Sequence, residues 1–167
     1  MHYIGRMELP LFAIAMLAMP ASAQERPNAA LPETAACPDV IANVATCYTA
    51  KHETGAYLFA VMPKNWNGNL VVFAHGGPYV VPPNEATEKN NLGRNPAAVR
   101  LGFAWVASTY RMEGYGVAMA TADVDIARKF FAERIATPRR TILHGASYGG
   151  LVGAKLIDTY ANSGATP

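Results

Sequence analysis

The 167-residue chain is 51% hydrophobic and 16% charged, which suits one domain with a substantial core and excludes a disordered chain. Its formal charge of +2 comes from 14 basic and 12 acidic residues spread along the sequence. No block of like charge marks a nucleic-acid or polyanion surface, so no nucleic-acid partner is expected.

Arg6 precedes an apolar run from Leu9 to Met19, Pro20 breaks it, and Ala21-Ser22-Ala23 offers a small-x-small cleavage site. Residues 1–23 therefore read as a secretory signal peptide, and the mature protein is expected to be secreted or periplasmic. The apolar run is about half the ~20 residues needed to span a bilayer, so no membrane association is expected after cleavage. Residues 24–45 read as an N-terminal leader, flexible over the polar, proline-bearing stretch from Gln24 to Pro38. Both cysteines, Cys37 and Cys47, lie in the exported portion, where they either pair as a disulfide or remain structural thiols. No Cys-x-x-Cys or histidine pair at ligand spacing accompanies them, so neither a metal nor another cofactor is expected.

The run Ala56 to Met62 is apolar and aromatic-rich between Gly55 and Pro63, and reads as a strand. Pro63 to Asn69 supplies turn chemistry, read as a hairpin connection to the next strand. That strand, Leu70 to Ala74, is continuously apolar, as expected for a strand covered on both faces of a parallel or mixed sheet. It stops at His75-Gly76-Gly77-Pro78, and a polar, proline- and asparagine-rich stretch follows from Pro82 to Asn95. A short helix is expected from Pro96 to Leu101, a buried strand from Phe103 to Ser108, and a loop at Gly114 and Gly116. Val124, Ala127, Phe131 and Ile135 recur at helical spacing from Asp123 to Ala136, with Thr121 or Asp123 as the cap. Pro138 ends that helix, Thr141 to His144 reads as a strand, and Gly149 to Tyr160 reads as a helix with Leu151, Ala154, Ile157 and Tyr160 on one face. Alternating buried strands and helices predict an α/β layer architecture without repeats or a second domain.

Between that last strand and helix stands Gly145-Ala146-Ser147-Tyr148-Gly149-Gly150. A hydroxyl becomes a useful nucleophile when it is exposed, near a base, and beside donors for the oxyanion that its attack creates. A sharp strand-to-helix turn would expose Ser147, small residues at 145, 149 and 150 would let the backbone bend, and the Tyr148 amide would face the attacked carbonyl.

The two motifs, His75-Gly76-Gly77-Pro78 and Gly145 to Gly149, resemble in order and spacing the N-terminal half of an α/β-hydrolase, with the resemblance running from Thr46 to Asn162. It implies a partial α/β-hydrolase domain over residues 46–167: a mostly parallel sheet with flanking helices, truncated after the helix that follows the nucleophile. It also implies Ser147 as catalytic nucleophile and the amides of Gly77 and Tyr148 as the oxyanion hole; Pro78 has no N–H to give. Trp66-Asn67-Gly68-Asn69 is similar to secreted esterases related to tannases and feruloyl esterases, while His-Gly-Gly-Pro also occurs in some prolyl peptidases. A small-molecule ester substrate is the leading expectation, with a proline-type serine peptidase as the alternative.

The family's acid and histidine follow later strands that this sequence does not contain. His144 is too near Ser147 to turn back onto it, His75 suits bracing of the oxyanion loop, His52 and His2 have no supporting context, and Asp158 reads as a solvated helix residue. The chain alone is therefore expected to be inactive and to end its sheet on an unpaired apolar edge, prone to aggregate. A non-catalytic remnant or binding protein is the alternative from another class. Tyr110 and Arg111, at the C-terminal edge of a strand, are candidate substrate contacts, Arg111 for an anionic or phenolic group, unless it forms a structural ion pair. Met112 to Gly116 is the expected rim of the entrance.

Overall fold

The computed structural model describes residues 31–77 and 80–164. The signal peptide expected over residues 1–23 and the start of the expected leader lie outside the described residues, as do Pro78 and Tyr79. Six strands form one sheet: β1 (Glu33–Ala35), β2 (Ala45–Lys51), β3 (Tyr57–Pro63), β4 (Asn69–Ala74), β5 (Ala104–Ser108) and β6 (Arg140–Gly145), in the order β1-β2-β3-β5-β4-β6. From β1 to β5 the neighbours run antiparallel, whereas β5, β4 and β6 run parallel, so the sheet is mixed.

Side chains alternate across a strand, and here both faces are covered. Leu58, Ala60, Leu70, Val72, Ala104 and Val106 point to one face, against Val124, Ala127 and Phe131 of helix α3 (Val117–Arg134) and Val152 and Leu156 of helix α4 (Tyr148–Ser163). Phe59, Val61, Val71 and Trp105 point to the other, against Leu92 of helix α1 (Ala86–Arg94) and Val99 of helix α2 (Ala97–Arg100). Double coverage is why these strands read as unbroken apolar runs.

Several expectations change. No hairpin joins β3 to β4, because β5 lies between them. The Pro63 to Asn69 turn is held instead by the strands' far neighbours: Asn67 N–H donates to the Gly102 carbonyl (2.9 Å), and Arg139 N–H donates to that of Gly68 (2.8 Å). Helix α3 begins after Gly116, placing Thr121 and Asp123 inside it as buried residues rather than caps. In α4 the buried face is Gly149, Val152, Gly153 and Leu156, while Leu151 and Ile157 are exposed. Among the described residues α3 is the helix packed against α4 and the outer edge of β6 is unpaired, so that none of them covers the other flank of α4.

Of the expected leader, Glu33–Ala35 joins the sheet as β1. β1 pairs with β2 in the register Ala35 with Cys47, and a disulfide joins Cys37 to Cys47 with Cα atoms 5.3 Å apart. Helix α1 had no apolar signature because only Glu88 and Leu92, one turn apart, are buried in it.

Candidate active site

β4 and β6 end side by side, and their C-terminal ends build the site. The ladder continues one residue past the pair Ala74 and Gly145, as Ala146 N–H donates to the Ala74 carbonyl at 3.0 Å. The chain then reverses at Ser147, an exposed residue with φ 51° and ψ −119°, before α4 begins at Tyr148. Such a backbone costs a non-glycine residue about 1–3 kcal/mol and persists only where its surroundings enforce it. Those surroundings are two glycines: a Cβ on Gly145 would lie 2.3 Å from the Gly149 carbonyl oxygen, and one on Gly149 would lie 1.9 Å from that of Ala74. Gly150 differs from expectation, since a Cβ there meets nothing within 4 Å.

Strain localised at Ser147 has a measurable consequence. Ser147→Gly is expected to raise stability to urea by about 1 kcal/mol, because glycine takes this conformation freely. Ser147→Ala should give no such gain; equal midpoints for the two variants would show that the turn is unstrained.

Two backbone elements frame the hydroxyl. Tyr148 is the first residue of α4, where N–H groups have no partner within the helix and the helix dipole favours negative charge. Across from it, the loop after β4 presses on the turn: a Cβ on Gly76 would lie 3.2 Å from the Ala146 carbonyl oxygen and 3.5 Å from Ser147 Cβ. Gly77 follows directly, half-buried.

The same loop rests on a buried polar cluster. His75 is 2% exposed, its Nδ1 donates to the Gly76 carbonyl, and its ring stacks on Tyr110 with centroids 3.8 Å apart. Tyr110 O–H in turn donates to the His75 carbonyl at 2.9 Å. His75 Nε2 lies 3.9 Å from Oε1 of Glu88, which is fully buried. Burial pushes the Glu88 carboxyl up to about 8 against the opposing pull of the Asn91 amide, and burial also lowers the His75 pKa, against the carbonyls of Gly76 and Thr109.

No protein-family model and no curated protein matches the chain. Solved structures do. An esterase from the bacterial hormone-sensitive lipase family superposes with a TM-score of 0.56 at 16% identity, covering 74% of this chain and 41% of that one. A mutant of the esterase E40 gives 0.54 at 17% identity over the same shares, and an esterase E25 gives 0.50 at 16%, covering 81% and 37%. The chain has the α/β-hydrolase fold. It spans about two-fifths of the length of these structures.

Within the hydrolase fold, the other expected site residues have structural partners. Arg111 is held by Asp123, which is 0% exposed and accepts the Arg111 backbone N–H (2.8 Å), Nε (3.0 Å) and Nη2 (2.6 Å). That hydrogen-bonded pairing raises the Arg111 pKa and occupies the group expected to grip substrate. Tyr110 is also buried, at φ 59°, bracing the loop under the site rather than facing a ligand. In the segment expected to form the rim, Gly116 N–H donates to Tyr148 O–H (3.0 Å), and exposed Tyr115 packs edge-on against Tyr148.

Among the described residues, no histidine hydrogen-bonds to Ser147. His144 is exposed, with its ring against Phe73, and His52 pairs with Thr54. Asp158 is exposed and holds Lys155. An apolar cleft of about 330 Å³, lined by Phe73, Leu92, Phe103, Trp105 and His144, opens on the α1 and α2 face; Ser147 does not line it. Sequence reasoning missed Glu88, since a lone acid within a polar stretch gives no sign that it is buried.

Proposed function

We propose that this chain belongs to a secreted or periplasmic serine hydrolase that cleaves carboxylic esters through an acyl-enzyme. The observation that carries the reading is Ser147, exposed at a left-handed turn at the start of α4, with Gly76 so near that a Cβ on it would lie 3.5 Å from Ser147 Cβ. Its Oγ attacks the ester carbonyl and gives up its proton to a base. The oxyanion accepts hydrogen bonds from the Gly77 and Tyr148 amides, the alcohol leaves, and water releases the acid in a second, similar step. The entrance is framed by Met112 to Gly116.

The base and its orienting acid come from sequence outside this chain, which by itself is inactive. Two features support this: the chain spans only 41% of the first esterase it resembles, and exposed Ile142, Leu151 and Ile157 flank the unpaired edge of β6, where further strands would continue the sheet. The disulfide supports an oxidising compartment, and the signal sequence expected over residues 1–23 supports export.

Fluorophosphonate labelling of the full-length gene product tests the reading. The adduct is expected on Ser147, abolished by Ser147→Ala, together with hydrolysis of short p-nitrophenyl esters. Absence of any adduct would point to the non-catalytic alternative, and turnover of prolyl p-nitroanilides in preference to esters would point to a peptidase.

A further inference from the structure

We propose that Glu88 is a positioning residue for the oxyanion loop, acting through the His75 ring to fix the plane of the Gly76–Gly77 peptide. The inference rests on Gly77 being the oxyanion donor of the proposed function. A trans peptide is planar, with its C=O and N–H pointing in opposite directions. The Gly76 carbonyl and the Gly77 N–H belong to one such plane. By donating to that carbonyl, His75 Nδ1 therefore sets where the Gly77 N–H points.

The ring can donate there only when Nδ1 carries the proton, and in a neutral imidazole the group at the other nitrogen selects that tautomer. At Nε2 the facing side chain is Glu88, 3.9 Å away, with both side chains buried. Glu88 is itself fixed, because the Asn91 amide one turn along α1 donates to both of its oxygens (3.3 and 3.2 Å). Tyr110 stacks on the ring and holds the His75 carbonyl, so the imidazole has little freedom to turn.

The groups facing Glu88 and His75 are thus Asn91 on α1, the Gly76 carbonyl of the loop itself, and Thr109 and Tyr110 after β5. The raised carboxyl and lowered imidazole favour a neutral pair, with the ring proton on the Nδ1 that meets the Gly76 carbonyl. A buried acid is costly where an apolar residue would pack equally well. Its place behind the peptide that presents Gly77 gives that cost a function.

Nitrogen-15 NMR of histidine-labelled full-length protein tests this without relying on catalysis, with the His75 resonances identified as those lost in His75→Gln. The wild type should show the Nδ1–H tautomer, and its Nε2 resonance should move as Glu88 titrates near pH 8; in Glu88→Gln that movement should vanish. On p-nitrophenyl acetate, Glu88→Ala should lower kcat tenfold or more with KM within twofold, and glutamine should restore part of the loss. An Nε2–H tautomer in the wild type overturns the proposal without any variant, as does a His75 titration identical in Glu88→Gln. Labelling of Ser147 with an uncoupled His75 overturns this proposal alone. Coupling without any labelling overturns the hydrolase reading, and the oxyanion role with it.

Discussion

Replacing Gly149 with alanine is expected to cost about 4 kcal/mol or more, enough to unfold much of a domain whose total stability is about 5–15 kcal/mol. The added methyl would lie 1.9 Å from the Ala74 carbonyl oxygen and 2.7 Å from that of His75. Both obstacles are backbone at the end of a central strand, so no side chain can swing aside, and α4 would have to lift off β4. Lifting it also withdraws the Tyr148 amide and the Ser147 turn from the Gly76 loop. The neighbouring Gly150→Ala is the matched control: its methyl meets nothing within 4 Å, and helix propensity alone predicts a gain of up to about 1 kcal/mol. Urea unfolding midpoints of the two variants, made in the full-length protein, should separate widely and in opposite directions. Similar midpoints would mean that α4 does not pack this closely on the strand end.

The second large effect is expected at Arg111. Asp123 is fully buried within α3, and Arg111 donates to it through one backbone N–H and the guanidinium. Arg111→Ala leaves that carboxylate buried with a single donor, which typically costs about 3–5 kcal/mol. Removing both charges, as in Arg111→Met with Asp123→Leu, should be closer to wild type than Arg111→Ala alone, because no uncompensated charge remains. The stability change separates the structural role from the substrate contact that the sequence suggests. A variant that unfolds at the wild-type midpoint but binds ester more weakly would return Arg111 to the pocket.

Much of the architecture was legible because it is encoded locally. The strands β3 to β6 announce themselves as apolar runs between glycines and prolines, and their observed bounds differ from the expected ones by a residue or so. The turn at Ser147 was legible for a steric reason: only glycine fits at 145 and 149 when two parallel strand ends and a helix start converge there. Helix α1 was not legible, because a helix that buries one carboxyl and one leucine carries almost no apolar periodicity. The buried face of α4 was misread because Leu151 and Ile157 are as apolar as the residues that do pack, and composition cannot tell which flank has a neighbour.

From the sequence alone came the two glycine motifs, the serine between strand and helix, the cysteine pair, and the expectation of an α/β sheet covered on both faces. Tertiary structure alone decided three further things. It inserted β5 between β3 and β4, which a turn between consecutive strands cannot foretell, since strand neighbours are set by long-range packing. It turned Arg111 and Tyr110 inward to hold Asp123 and His75, because a buried carboxylate and a buried carbonyl each require a donor. And it brought Glu88 to within 3.9 Å of His75 behind the loop that follows β4, joining residues thirteen positions apart whose relation appears only once α1 has docked on the sheet.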